Sequence, residues 1–175
     1  MILVIASDIH GSATYCKKLI EIFKKEKAEK LLLLGDILYH GPRNPLPDGY
    51  NPAEVANLFE EIKDKIVCVR GNCDSEVDQM VLPFNISSDY ATVFADGLNI
   101  YLSHGHREVP PLLNGDIYLT GHTHVPLKEN CGYIHLNPGS VSLPKEDSPH
   151  SYVLYKDRTF YFKSLDGEIY DTCKI

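Results

Sequence analysis

Ile2-Leu3-Val4-Ile5-Ala6-Ser7-Asp8-Ile9-His10 carries an unbroken apolar run straight into a carboxylate and an imidazole two residues apart. The run from Ile2 to Ser7 is rich in β-branched residues, as expected of a strand covered on both faces. Residues 12–27 follow with Leu19, Ile20, Ile22 and Phe23 at helical spacing and Ser12 at the N-cap. Leu31–Leu34 is a second short strand, closing on Gly35-Asp36. Residues 37–52 hold four prolines and two asparagines, which predicts a long loop. Pro52 then suits a helix first turn, and Val55, Leu58, Phe59 and Ile62 form its apolar stripe. Ile66–Val69 is the third strand, ending at Gly71-Asn72. Strand, helix, strand, helix, strand implies parallel pairing with right-handed crossovers. In such sheets ligands gather at the carboxyl ends of strands, where Asp8, Asp36 and Asn72 all fall.

The second half changes character. Hairpin signals stand at Asp96-Gly97, at residues 130–132 and at Asp157-Arg158, each between strand-like runs. Asp116–Thr120 is a further strand, ending at Gly121-His122, and Glu168–Cys173 is a candidate edge strand. Two mixed sheets packed face to face, with helices outside, accommodate this pattern. The 175 residues suit one domain, spanning 1–175, and a chain of this size buries enough surface to fold without disulfides.

Net charge is -7, and the basic cluster Lys24-Lys25-Glu26-Lys27 reads as a solvated helix end. Duplex nucleic acid binding rests on a basic surface, so none is expected. Five scattered cysteines without a C-x-x-C pair indicate neither a zinc ribbon nor a thioredoxin-type redox pair. Free thiols point to a reducing, cytoplasmic setting. The apolar opening lacks a basic n-region and reads as a buried strand; no stretch approaches the roughly 20 residues of a membrane span.

The chemistry lies in five short motifs, each just after a strand-like run: Asp8-Ile9-His10, Gly35-Asp36, Gly71-Asn72-Cys73-Asp74, Ser103-His104-Gly105-His106 and Gly121-His122-Thr123-His124. Asp-x-His alone reads as turn chemistry beside a solvated histidine, and Gly-Asp is common in turns. Gly-His-Thr-His says more, because two imidazoles after a buried strand both need partners, and a metal supplies them. With Asn72 and His104 the inventory becomes two carboxylates, an amide oxygen and four imidazoles. Oxygen and nitrogen donors without thiolate suit Mn, Fe or Zn better than a structural zinc site. Seven donors exceed the need of one ion. Two divalent ions contribute +4 against -2 from Asp8 and Asp36, so the centre stays positive and attracts a phosphate ester.

In this order the motifs resemble the calcineurin-like metallophosphoesterase superfamily. His40-Gly41-Pro42-Arg43-Asn44, residues 69–79 and Asn137-Pro138-Gly139-Ser140-Val141 are similar to its bacterial YfcE-type phosphodiesterases. The resemblance implies a four-layer α/β/β/α sandwich of two mixed β-sheets flanked by helices, with a dinuclear centre. Manganese is the commonest metal there, with Fe, Zn, Ni and Co as alternatives. By the same resemblance, one metal takes Asp8, His10, Asp36 and His124, and the other takes Asp36, Asn72, His104 and His122. A hydroxide bridging the metals would then attack the phosphorus of a small phosphodiester in line.

Many superfamily members have His where Cys73 stands, as a leaving-group donor. A thiol is a weaker donor, so Cys73 as a catalytic group implies diesters or activated leaving groups; the alternative is that Cys73 fills space beside Asn72. Asn72, His106 and Arg43 are candidate substrate contacts, and Asp74 is a capping or supporting carboxylate rather than a ligand. Two rival functions stay open. One is a phosphatase of monoesters, nucleotides or phosphoproteins; the other is a protein-binding scaffold like the retromer subunit of this fold, which a complete ligand set disfavours. Exposed hairpin edges need pairing or cover, which leaves a homo-oligomer open.

Overall fold

The opening run forms β1 (Leu3–Ala6), and the computed structural model, which describes residues 1–175, sets it inside a six-stranded sheet. α1 (Ala13–Lys25) follows, its N-cap Ser12 accepting from the Tyr15 backbone N–H as the sequence predicts. β2 (Lys30–Leu33), α2 (Pro52–Phe59), a 3₁₀ segment (Glu60–Lys65) and β3 (Ile66–Cys68) complete the predicted alternation. β1 pairs parallel with β2, and β2 with β3. A four-residue helix, α3 (Glu76–Gln79), follows with Ser75 and Asp78 in a capping box. Its single turn is too short to leave a 3.6-residue periodicity in the sequence.

The remaining elements are strands: β4 (Tyr90–Ala95), β5 (Leu98–Ser103), β6 (Ile117–Leu119), β7 (Pro126–Asn130), β8 (Ile134–Pro138), β9 (Ser151–Lys156), β10 (Thr159–Ser164) and β11 (Ile169–Lys174). The first sheet runs β11-β10-β9-β1-β2-β3, so the C-terminal hairpin returns to pair antiparallel with β1. The second runs β4-β5-β6-β8-β7 and is also mixed, with β5, β6 and β8 parallel. Asp96 and Gly97 take φ of 49° and 80° in the β4–β5 turn, the left-handed pair a two-residue hairpin requires.

Alternation along β1 splits the core in two. Val4 and Ala6 join Leu19, Phe23, Val55 and Phe59 beneath the helices. Leu3 and Ile5 face Ile100, Leu102, Ile117 and Leu136 of the second sheet. Two mixed sheets face to face with flanking helices are thus the architecture. All helices precede β4, and residues 104–116, broken by Pro110-Pro111, connect parallel β5 to β6 without a helix. No helix is long and apolar enough to cross a membrane.

Candidate metal centre

Five strand ends converge on one cleft. β1 delivers Asp8 and His10, β2 delivers Asp36, β3 delivers Asn72, β5 delivers His104, and β6 delivers His122 and His124. Five of these seven hold left-handed backbone: Asp8 at φ 57°, His10 at 50°, Asp36 at 56°, His122 at 70° and His124 at 63°. Such conformations cost non-glycine residues free energy and persist only where the surroundings fix them. The fixing bonds are from Asp8 N to Gly35 O (3.1 Å), His10 N to Asp36 O (2.9 Å) and Gly121 N to His104 O (3.0 Å).

Three imidazoles are oriented by main-chain carbonyls. His10 Nδ1 lies 2.7 Å from Tyr39 O, His104 Nδ1 2.6 Å from Leu34 O, and His124 Nδ1 2.6 Å from Leu143 O. A carbonyl only accepts, so each Nδ1 carries a proton, and each ring in its neutral form turns an Nε2 lone pair inward. His10 Nε2 and His124 Nε2 stand 3.2 Å apart, with Asp8 Oδ1 at 3.5 Å and 3.3 Å. Asp8 Oδ1 is buried with no hydrogen-bond partner. Acceptors converging without a donor make a cation hole, and the set fits a divalent metal.

A second group of donors shares that centre. Asp36 Oδ2 lies 3.6 Å from His10 Nε2 and 3.4 Å from His104 Nε2, while its Oδ1 accepts from Cys73 N at 2.8 Å. Asn72 Oδ1 is 3.0 Å from His104 Nε2. Asp8, Asp36 and His104 bring donor atoms within 4.8 Å of one another, as do Asp8, His10 and His124. His122 stands further out, half-buried, its ring centroid 5.1 Å from that of His104 and its backbone N–H donating to Asp8 Oδ2.

The electrostatics follow from burial opposed by pairing. Burial disfavours a charged Asp8, yet the imidazoles of His10 and His124 outweigh it and hold the carboxyl well below its ordinary value. Asp36 is lowered in the same way by His104. Burial likewise disfavours a charged His104, but Asp36 and Asp8 push it up to about 9. With no metal bound, the stability this pairing contributes is fully present below about 6.5 and is lost as pH rises through about 9. The carboxylates act at the other end: their contribution is present above their unfolded values and lost in acid. Protein stripped by chelator should therefore lose on the order of 2 kcal/mol, or about 4–8 °C in Tm, between pH 6.5 and 9.5. Manganese-loaded protein should not, because a ligating imidazole is already neutral. Equal Tm-pH slopes for the two forms would contradict this.

The other sequence candidates divide. Arg43 lines the same cleft as Asp36, Asn72, His122 and His124, an opening of about 830 Å³. His106 is part-buried, its ring 5.3 Å from His104 and its Nδ1 unpartnered. Burial and the Asp36 carboxylate push the Cys73 thiol up to about 12, so it is a neutral thiol at physiological pH. Asp74 is the supporting carboxylate expected of it, accepting from the backbone N–H groups of Asp36, Ile37 and Gly71 and so tying the loop after β2 to the loop after β3. Sequence reading missed Lys145, which lines the cleft, and Ser140 and Ser142, whose hydroxyls both donate to Asp8 O. The only hint for them is that Ser140 belongs to Asn137-Pro138-Gly139-Ser140-Val141 and Ser142 stands just after it.

The model of the calcineurin-like phosphoesterase superfamily domain matches residues 1–159. The chain belongs to this superfamily. Membership makes it a phosphoesterase and implies divalent metal ions. Among its superfamily relatives, phosphodiesterase YfcE of Escherichia coli strain K12 is 48% identical over 157 residues, covering 87% of this chain and 85% of the relative. The structure of YfcE, a phosphoesterase from E. coli, superposes with a TM-score of 0.97 over 100% of both chains at 41% identity. Vacuolar Protein Sorting 29 from Cryptosporidium parvum, at 21% identity and TM-score 0.65 over 98% of this chain and 95% of its own, shares the superfamily fold alone.

Proposed function

We propose that this phosphoesterase hydrolyses small phosphodiesters at a dinuclear centre. One metal would be held by Asp8, His10, Asp36 and His124, and the other by Asp36, Asn72, His104 and His122. The observation that carries this reading is Asp36, whose Oδ2 faces His10 on one side and His104 on the other, between two donor groups. A bound pair of divalent ions, with manganese the first choice, supplies positive charge to the phosphoryl oxygens and lowers the pKa of water toward neutrality.

The chain's own residues account for the rest. Arg43 and Lys145 bring positive charge to the cleft wall and suit the anionic part of a substrate. Asn72 donates from Nδ2 to Cys73 Sγ at 3.3 Å, which directs its Oδ1 toward His104. Cys73 is a neutral thiol and a weak donor, so little proton transfer reaches a departing alkoxide from it. Diesters with stable leaving groups need that transfer least, which favours them over ordinary monoesters and agrees with the activity named for the E. coli relative. The five free cysteines suit a reducing cytoplasm.

The test is hydrolysis of bis(p-nitrophenyl) phosphate and p-nitrophenyl phosphate by chelator-stripped protein, alone and with manganese, zinc, nickel or cobalt. Diester turnover should appear on adding metal and exceed monoester turnover. A metal-loaded protein that cleaves neither ester would refute the proposal, and a monoester preference would replace it with a phosphatase.

A further inference from the structure

Beside the metal cleft lies a second cavity of about 720 Å³ that the reaction as described leaves unused. Its volume falls in the range of small-molecule sites. Tyr39 and Tyr50, Ala53 and Ala56 of α2, and Val77 and Val81 around α3 line it. Tyr39, Val77 and Val81 are 41%, 68% and 58% exposed, so their apolar surface is uncovered by the rest of the chain.

The cavity adjoins the metal cleft. Tyr39, Cys73 and Ser75 line both. Cys73 also brings its sulfur within 4.8 Å of donor atoms of His10 and Asp36, so the partition is one side chain thick. Charge separates the two compartments. The metal cleft carries Arg43 and Lys145, whereas no basic residue lines the apolar cavity. Its one charged group, Asp78, spends its Oδ2 on the Ser75 N–H and hydroxyl at 2.8 and 3.0 Å. An anionic extension of the substrate is repelled there, and a neutral ring is not.

The geometry points to this cavity as the subsite for an apolar, aromatic ester group of the substrate, with the phosphate at the metal centre and any further anionic part toward Arg43 and Lys145. The inference rests on the phosphodiesterase reading and narrows it to diesters bearing at least one aryl or comparably flat apolar substituent. Tyr39 and Tyr50 supply aromatic surface for such a ring, and Val77 and Val81 supply aliphatic surface.

The experiment compares phenylphosphonate with methylphosphonate as competitive inhibitors of diester hydrolysis by the manganese-loaded protein. Burial of the ring should make phenylphosphonate at least about tenfold tighter. Ala53→Trp, which fills the cavity, and Val81→Glu, which charges it, should each cut that advantage to about twofold or less, with the methylphosphonate constant unchanged. Methyl NMR gives a readout independent of turnover: Val77 and Val81 signals should move with phenylphosphonate and not with methylphosphonate. Equal inhibition by both phosphonates in an active enzyme would overturn the subsite and leave the phosphodiesterase standing, as would a phenyl preference that survives both variants. Absence of both turnover and inhibition would take down the two together.

Discussion

Asp36→Asn is expected to lower kcat/KM for a phosphodiester by more than about 100-fold, beyond the 10–100-fold that groups supporting a ligand typically cost. The substitution is nearly isosteric. Its retained oxygen can still accept from Cys73 N, the bond that Oδ1 makes now at 2.8 Å. The loss falls on Oδ2, which stands 3.6 Å from His10 Nε2 and 3.4 Å from His104 Nε2. An amide N–H there would bring protons where two metals would share a carboxylate, and the centre would keep one negative charge in place of two. Elemental analysis should show reduced metal content while circular dichroism stays native. His104 would also lose its main partner, so the alkaline decline in Tm of the metal-free protein should shrink in the same variant. A folded Asp36→Asn protein with full metal content and activity within tenfold of the parent would dismiss the shared-ligand role.

Gly121→Ala is the second large effect, and it comes from space rather than charge. A methyl group at this position would overlap Ser7 Oγ and stand 2.8 Å from Asp8 Oδ2. The backbone cannot retreat easily. Gly121 N donates to His104 O at 3.0 Å, and Gly121 O accepts from Asn137 Nδ2 at 2.7 Å. Overpacking in such a place costs about 3 kcal/mol or more, or roughly 6–12 °C in Tm. Activity should fall as well, because the methyl pushes on the Asp8 carboxylate that faces His10 and His124. Gly97→Ala is the control: nothing lies within 4 Å of the added methyl, although φ is 80°. It should cost about 1–2 kcal/mol and leave kcat/KM intact. If both variants melt alike and both stay active, the steric account of Gly121 fails.

Much of this was legible in the chain because the signals were local. The strands are the apolar runs, and the ligand candidates stand where those runs stop, so the order of the motifs carried fold and site together. Ser12, Pro52 and Asp96-Gly97 were readable because caps and turns need particular residue types. What stayed hidden depends on distance in sequence. Ser140 and Ser142 reach Asp8 O across more than 130 residues, and nothing in a serine's neighbours announces such a bond. Lys145 enters the cleft from the loop before β9 by the same kind of long-range placement. The left-handed backbone at Asp8, His10, Asp36, His122 and His124 was equally invisible, since those residue types occur in every conformation. The apolar cavity needs α2 and α3 brought together, and α3 is too short to be read from periodicity.

The carbonyls that aim the three imidazoles belong to Leu34, Tyr39 and Leu143, whose own side chains take no part in those bonds. A peptide C=O is present whatever amino acid occupies the position. No single substitution can delete one of these orienting groups, as it could a carboxylate in the same role. Drift at Leu34 and Leu143 is therefore filtered only through packing. A lineage can change what fills the space around the centre while the rings keep their aim, and only exchange of the histidines themselves would erase it.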